Sequence, residues 1–214
     1  MASETVTTER SGEELADPGA PARRRARAPR QDNRRRALMD AAAALFAETG
    51  YRATTIRDIA SAVGMLPGSV YYHFDSKDAL LLAVYREGVR GIAERVDAAT
   101  AGASDPWARL EAAAAAHLET ILDQSAYAKV MVRVLPEDAE ALRAELSRER
   151  DAYEARFRAL FEDLELAPGA APGRLRLMLL GALNWAQVWY RAGGEAPAAI
   201  ARDFVLSLKR GVAP

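Results

Sequence analysis

Cysteine is absent and histidine occurs only twice, as His73 and His117. Disulfides, thiolate catalysis and cysteine-ligated zinc are excluded, and no His-Glu-x-x-His pair exists. The glycine-rich phosphate and dinucleotide fingerprints and the Gly-x-Ser-x-Gly nucleophile motif are missing too. No apolar run is long enough to span a bilayer, and no cofactor or metal is expected. The N-terminal stretch has no apolar core of the signal-peptide kind, so the expected compartment is the cytoplasm. Sustained apolar alternation and Asn-Gly hairpin turns are lacking, which leaves little room for a sheet.

What remains is a chain of 214 residues, half of them hydrophobic, with a formal net charge of −1. That balance conceals a sharp asymmetry. Residues 1–22 hold five acids and one base, whereas residues 23–36 hold eight arginines against Asp32 alone. An arginine block on a near-neutral protein points to an anionic partner, nucleic acid first. The plainer reading is a solvated leader. Residues 1–31 carry almost no large apolar side chains, so they are expected to be a disordered basic arm.

From Asp32 onward the pattern is helix after helix. Leu38, Ala41, Ala42, Leu45 and Phe46 follow helical spacing within a first helix of about 32–49, with Gly50 as its stop. Thr55 and Asp58 form a capping-box pattern at the start of a short helix of about 55–62. After Gly64, Pro67 opens a helix to about Phe74, and Ser76 caps one of about 77–97. Further helices are expected at about 106–123, 126–134, 136–164, 172–191 and 197–210, most of them opened by a proline. The fold class is therefore all-α, with about nine helices. The expected division is an N-terminal three-helix unit at 32–78 and a C-terminal helical domain at 79–214.

The stretch from Thr54 to Phe74 is two short helices joined by a glycine-containing turn, the helix-turn-helix arrangement. Ile56, Ile59, Ala60, Val63, Val70 and Phe74 suit its inner side. Gly68, Ser69, Tyr71, Tyr72 and His73 are left for the outside, where hydroxyls, phenols and an imidazole suit phosphates and base edges.

The segment Val70-Tyr71-Tyr72-His73-Phe74, followed by Ser76-Lys77, resembles the DNA-binding region of the tetracycline-repressor (TetR) family over about 34–82. The resemblance implies a transcriptional regulator rather than an enzyme, with double-stranded DNA carrying a palindromic operator as partner. It implies DNA contacts from Thr55, Arg57, Gly68, Ser69, Tyr71, Tyr72, His73 and Lys77. The family usually places Ser or Thr just before the recognition helix. Leu66 stands there instead, and it either packs inward, the favoured expectation, or touches a thymine methyl.

In this family the C-terminal region dimerises and binds a small effector. The 172–191 segment is apolar almost all round, so it needs cover on more than one side. A homodimer seam formed with the 197–210 helix supplies that cover. Candidate ligand contacts for a hydrophobic effector are Trp107, His117, Ile121, Tyr127, Met131, Phe157, Asn184, Trp185 and Trp189. Tyr85, Tyr153 and Phe161 are further aromatic candidates, though core packing explains such residues equally well. His117 reads first as a core histidine. The run from Asn184 to Gly194 resembles a segment of family members that respond to acyl-CoA thioesters, so an acyl-CoA or fatty-acid-like effector is one expectation. An architectural DNA binder without an effector is the competing reading.

Overall fold

The computed structural model describes residues 28–123, 125–134 and 139–213. Among the described residues the secondary structure is helical, without strands. Helix α1 spans Ala28–Thr49, α2 Ile56–Ala62, α3 Pro67–Val70 and α4 Lys77–Thr100. They are followed by α5 Pro106–Leu122, α6 Ala126–Arg133, α7 Arg143–Glu162, α8 Pro172–Trp189 and α9 Pro197–Val212.

Local chemistry sets most boundaries. Gly50 has φ +86° and ends α1 in the left-handed region that glycine enters without steric cost. Thr55 caps α2 with both capping-box bonds in place: its hydroxyl accepts from the Asp58 N–H, and the Asp58 carboxylate accepts from the Thr55 N–H. Ser76, Asp105 and Ser125 cap α4, α5 and α6 in the same side-chain-to-backbone manner.

Three boundaries depart from the sequence reading. Helix α1 begins at Ala28, so residues 28–31 belong to a helix and not to a disordered arm; the arm's remaining residues, 1–27, lie outside the described set. Helix α3 ends at Val70 instead of Phe74. The N–H groups of Tyr72 and His73 bond back three residues, tightening the chain into a turn that delivers Phe74 to the core. The long helix expected at about 136–164 starts at Arg143, after a 3-10 turn at Glu140–Leu142, and its expected opening at Pro136 lies outside the described residues. Ala139 is buried and Leu142 packs against the core, so the 3-10 turn is held by tertiary contacts.

One apolar core runs through both parts of the chain. Leu38, Phe46, Ile59, Val70 and Phe74 close the N-terminal unit. Helix α4 carries Leu80 and Leu81 at that end and Ile92 and Val96 at the other, so it belongs to both halves. Helix α5 is central to the C-terminal half and packs against α4, α7, α8 and α9.

Candidate nucleic-acid interface and inner cavity

The α2–α3 pair presents a polar outer surface. Thr55, Arg57, Gly68, Tyr71 and Tyr72 are exposed, and Ser69 is half-buried. Tyr72 has 84% of its surface free, while Val70 beneath it has none. Where Gly68 would carry a Cβ there is open space, so the backbone there is accessible. Leu66 does not pack inward as expected: it is 76% exposed. Ile59, Val70 and Phe74 already fill the inner side and leave it no place.

His73 and Lys77 turn partly away from this surface. His73 borders a groove with Arg35, Met39 and Phe74, and the Arg35 guanidinium lies 4.7 Å over the Phe74 ring. The Lys77 ammonium donates to the carbonyls of Tyr51 and Thr54, both at 2.9 Å, and sits 4.3 Å over the Tyr51 ring. The Tyr51 hydroxyl in turn donates to Asp78. Lys77 thus fastens the start of α4 to the loop that leads into α2.

A cavity of about 280 Å³ lies among α4 to α8. Val89, Met131 and Leu180 supply apolar wall, and His117, Tyr153, Asn184, Arg150, Glu154 and Gln187 supply polar groups. His117 is buried between two partners. Its Nδ1 lies 2.7 Å from the Tyr153 hydroxyl and its Nε2 lies 3.1 Å from the Asn184 Oδ1. A carbonyl oxygen only accepts, so Nε2 carries the proton and Nδ1 accepts from the phenol. Burial pushes the His117 pKa down to about 4, the Asn184 bond opposing in part, and burial likewise raises the Tyr153 phenol. The imidazole is therefore neutral at pH 7, in a ring stack with Tyr153 and edge-on to Phe157.

The structure brings together His117, Met131 and Asn184 from the expected ligand set. The others lie elsewhere. Trp107 sits at the start of α5, about 15 Å along the helix from His117, and lies under Lys209 of α9. Ile121 lines a neighbouring hollow with Lys129 and Tyr190, and Val132 and Gln187 border both spaces. The Tyr127 hydroxyl bonds Asp40 of α1. Phe157 is fully buried as core behind His117. Trp185 and Trp189 point outward, 65% and 42% exposed. Helical periodicity cannot say which of several apolar faces meets the cavity, and that explains these displacements. Arg150 and Glu154 were missed because charged residues four apart on a helix read as a solvated face.

The outward tryptophans belong to a stripe. Leu177, Met178, Trp185, Val188 and Trp189 are all exposed on α8. Beside it, Trp189 packs edge-on to Phe204 of α9 in an open hollow of about 340 Å³.

Comparison with known proteins bears on both halves. Residues 38–84 match the family model described as bacterial regulatory proteins, tetR family. Residues 103–212 match that of the tetracyclin repressor-like C-terminal domain. The chain belongs to the TetR family. It is 33% identical over 196 residues to the HTH-type transcriptional repressor KstR2 of Rhodococcus jostii, covering 86% of this chain and 93% of that protein. It is 32% identical over 180 residues to KstR2 of Mycobacterium tuberculosis, covering 78% and 86%. The solved structure of that ketosteroid transcriptional regulator has 25% identity and a TM-score of 0.66, covering 85% of this chain and 95% of the other. TetR-family proteins are DNA-binding transcriptional regulators, not enzymes. Among the described residues of this one, no helix is long and apolar enough to cross a membrane.

Proposed function

We propose that the chain is a homodimeric repressor, released from a palindromic operator by a hydrophobic small molecule held in the His117 cavity. The observation that carries this reading is the course of α4. It starts at Lys77, bound to the loop before the helix-turn-helix, and reaches the cavity wall at Tyr85 and Val89. That is about 18 Å of rigid helix between the two sites. Helix α6 supports the same link. Met131 and Val132 line the cavity, while Tyr127 and Arg133 bond α1 at Asp40 and the Ala47 carbonyl, at 2.8 and 3.0 Å. A ligand that wedges α4 or α6 then changes the placement of the reading helices. It must bind the DNA-incompetent arrangement more tightly to shift anything.

The α8 stripe supports the dimer. An exposed apolar patch of this kind marks an interaction surface, and proteins of this family act as dimers. A two-fold axis there sets two reading helices on successive major grooves, roughly 34–36 Å apart.

The cavity combines apolar wall with the neutral Tyr153–His117–Asn184 chain and two charged side chains, Arg150 and Glu154, which suits an apolar body carrying a polar or acidic head. An acyl thioester or fatty acid fits, and the ketosteroid regulator among the relatives adds sterol-derived compounds to the candidates. Thermal melting tests for the effector, since a ligand of the native state raises the transition by mass action. Acyl-CoA thioesters, free fatty acids and sterol-derived acids are screened by melting, then for release of labelled operator. A compound that does both supports the reading; failure of all three classes removes the effector from it.

A further inference from the structure

Beside its exposed tyrosines the reading surface exposes one large aliphatic side chain. Leu66 is 76% exposed directly before α3, its backbone extended at φ −73° and ψ 141°, and it makes no side-chain cap bond. It is not part of the core, which Ile59 and Val70 of the same helix pair enter fully buried. The Ser69 N–H donates to the Leu66 carbonyl at 2.9 Å, which ties the extended Leu66 backbone to the start of α3. Leu66 and Tyr72 are exposed and Ser69 half-exposed, whereas Val70 is fully buried. Gly68, open above its Cα, lets this surface approach a duplex closely.

Leu66 sits at the N-terminal end of the recognition helix, the part that meets base edges in a helix-turn-helix protein. Ser69 and Tyr72 can hydrogen-bond; Leu66 can neither donate nor accept. Against a phosphate its isobutyl group displaces water and returns nothing. In the major groove one apolar group is on offer, the C5-methyl of thymine.

We propose that Leu66 reads a thymine methyl in each operator half-site and thereby sets one base of the sequence preference. The proposal rests on the assignment of the α2–α3 surface to operator reading.

The test starts from duplexes selected out of a random pool by the purified full chain. Each thymine of the selected palindrome is replaced by uracil, symmetrically in both halves, which removes the methyl and leaves the pairing intact. Uracil at one position should weaken wild-type binding roughly fourfold per half-site, as expected for one buried methyl group. Leu66→Ser, whose change lies on the surface, should bind the thymine and uracil duplexes equally, and selection with it should lose the thymine preference at that position. Wild-type indifference to every uracil overturns the proposal. So does a Leu66→Ser protein that keeps the wild-type uracil penalty, because another side chain then meets the methyl. A selection that yields no preferred sequence overturns the operator reading itself, and the two failures are thereby distinguished.

Discussion

The Nε2 of His117 donates to the Asn184 Oδ1 at 3.1 Å, so a buried imidazole of α5 is joined to the helix that carries the exposed tryptophans. On its other side the imidazole accepts from Tyr153 of α7. Three helices of the C-terminal half are thus connected through one neutral ring at the cavity wall. Its pKa is held near 4, against an ordinary 6.5, chiefly because burial penalises the charged form.

That depression makes stability pH-dependent with a definite sign. Below pH 6.5 the unfolded chain takes up a proton that the folded chain refuses down to about pH 4. The unfolded state therefore binds more protons in this window, and stability falls as the pH falls through it. The contribution is full above pH 6.5 and shrinks by about 2–3 kcal/mol near pH 4.5. Denaturant unfolding of wild type and His117→Gln at pH 7.5 and 4.5 measures it. Wild type should lead at pH 7.5, and its lead should shrink by pH 4.5. A constant gap contradicts a depressed His117.

Lys77 yields a different kind of prediction. Its ammonium serves two carbonyls of the loop before α2. Lys77→Met should cost about 1.5–3 kcal/mol of stability, as for a lost charged hydrogen bond, and weaken operator binding by loosening that loop. The salt slope separates this from a phosphate contact. A lysine on a phosphate takes ~0.9 off the log–log slope when removed, whereas a loop-fastening lysine leaves the slope unchanged. Anisotropy titrations across salt concentrations, with melting curves, distinguish the two.

The reach of sequence reasoning follows the range of the interaction concerned. The Thr55–Asp58 box, the Gly50 stop and the order of helices depend on neighbours within one turn, and they were legible. The Lys77 bonds join residues 26 and 23 apart, and the motif itself does not contain them. Cavity membership depends on how five helices are rotated against one another. Met131 and Asn184 meet there with His117, Asn184 at the open edge of the cavity, whereas Trp185, one residue on, belongs to the outward stripe. One residue along a helix is a turn of about 100°, enough to take a side chain out of the cavity lining altogether. Leu66 shows the same limit: the sequence identified the missing hydroxyl, but only the filled core beneath shows that the leucine faces outward.

The α8 stripe predicts the assembly state. Trp185→Glu together with Val188→Glu places charge at the centre of the exposed apolar face without touching the buried Leu179, Leu183 and Ala186. Light scattering after gel filtration should change from a dimer for wild type to a monomer for the variant, with helicity by circular dichroism retained. A dimeric variant moves the seam off α8.

The arginine block gives a salt prediction. Deleting residues 1–27 removes Arg23, Arg24, Arg25 and Arg27 and leaves α1 at full length. Arginine is favoured in narrow A·T-rich minor grooves. The truncated protein should bind the operator more weakly and with a shallower salt slope, by ~0.9 for each phosphate given up. Its ranking of operator variants should persist. An unchanged slope shows that the segment does not meet DNA.

Under the proposed function one protein reads an operator through the α2–α3 surface and loses it when the His117 cavity is filled. Fluorescence anisotropy on the selected palindrome, titrated with the compound that raises the melting temperature, tests both parts at once. Wild type should bind tightly and be released as the compound is added, and Tyr72→Ala should bind far more weakly. Asn184→Ala, still bound to the operator, should need markedly more compound for release. Binding that is indifferent to Tyr72→Ala, or release that proceeds unchanged in Asn184→Ala, contradicts the proposed function.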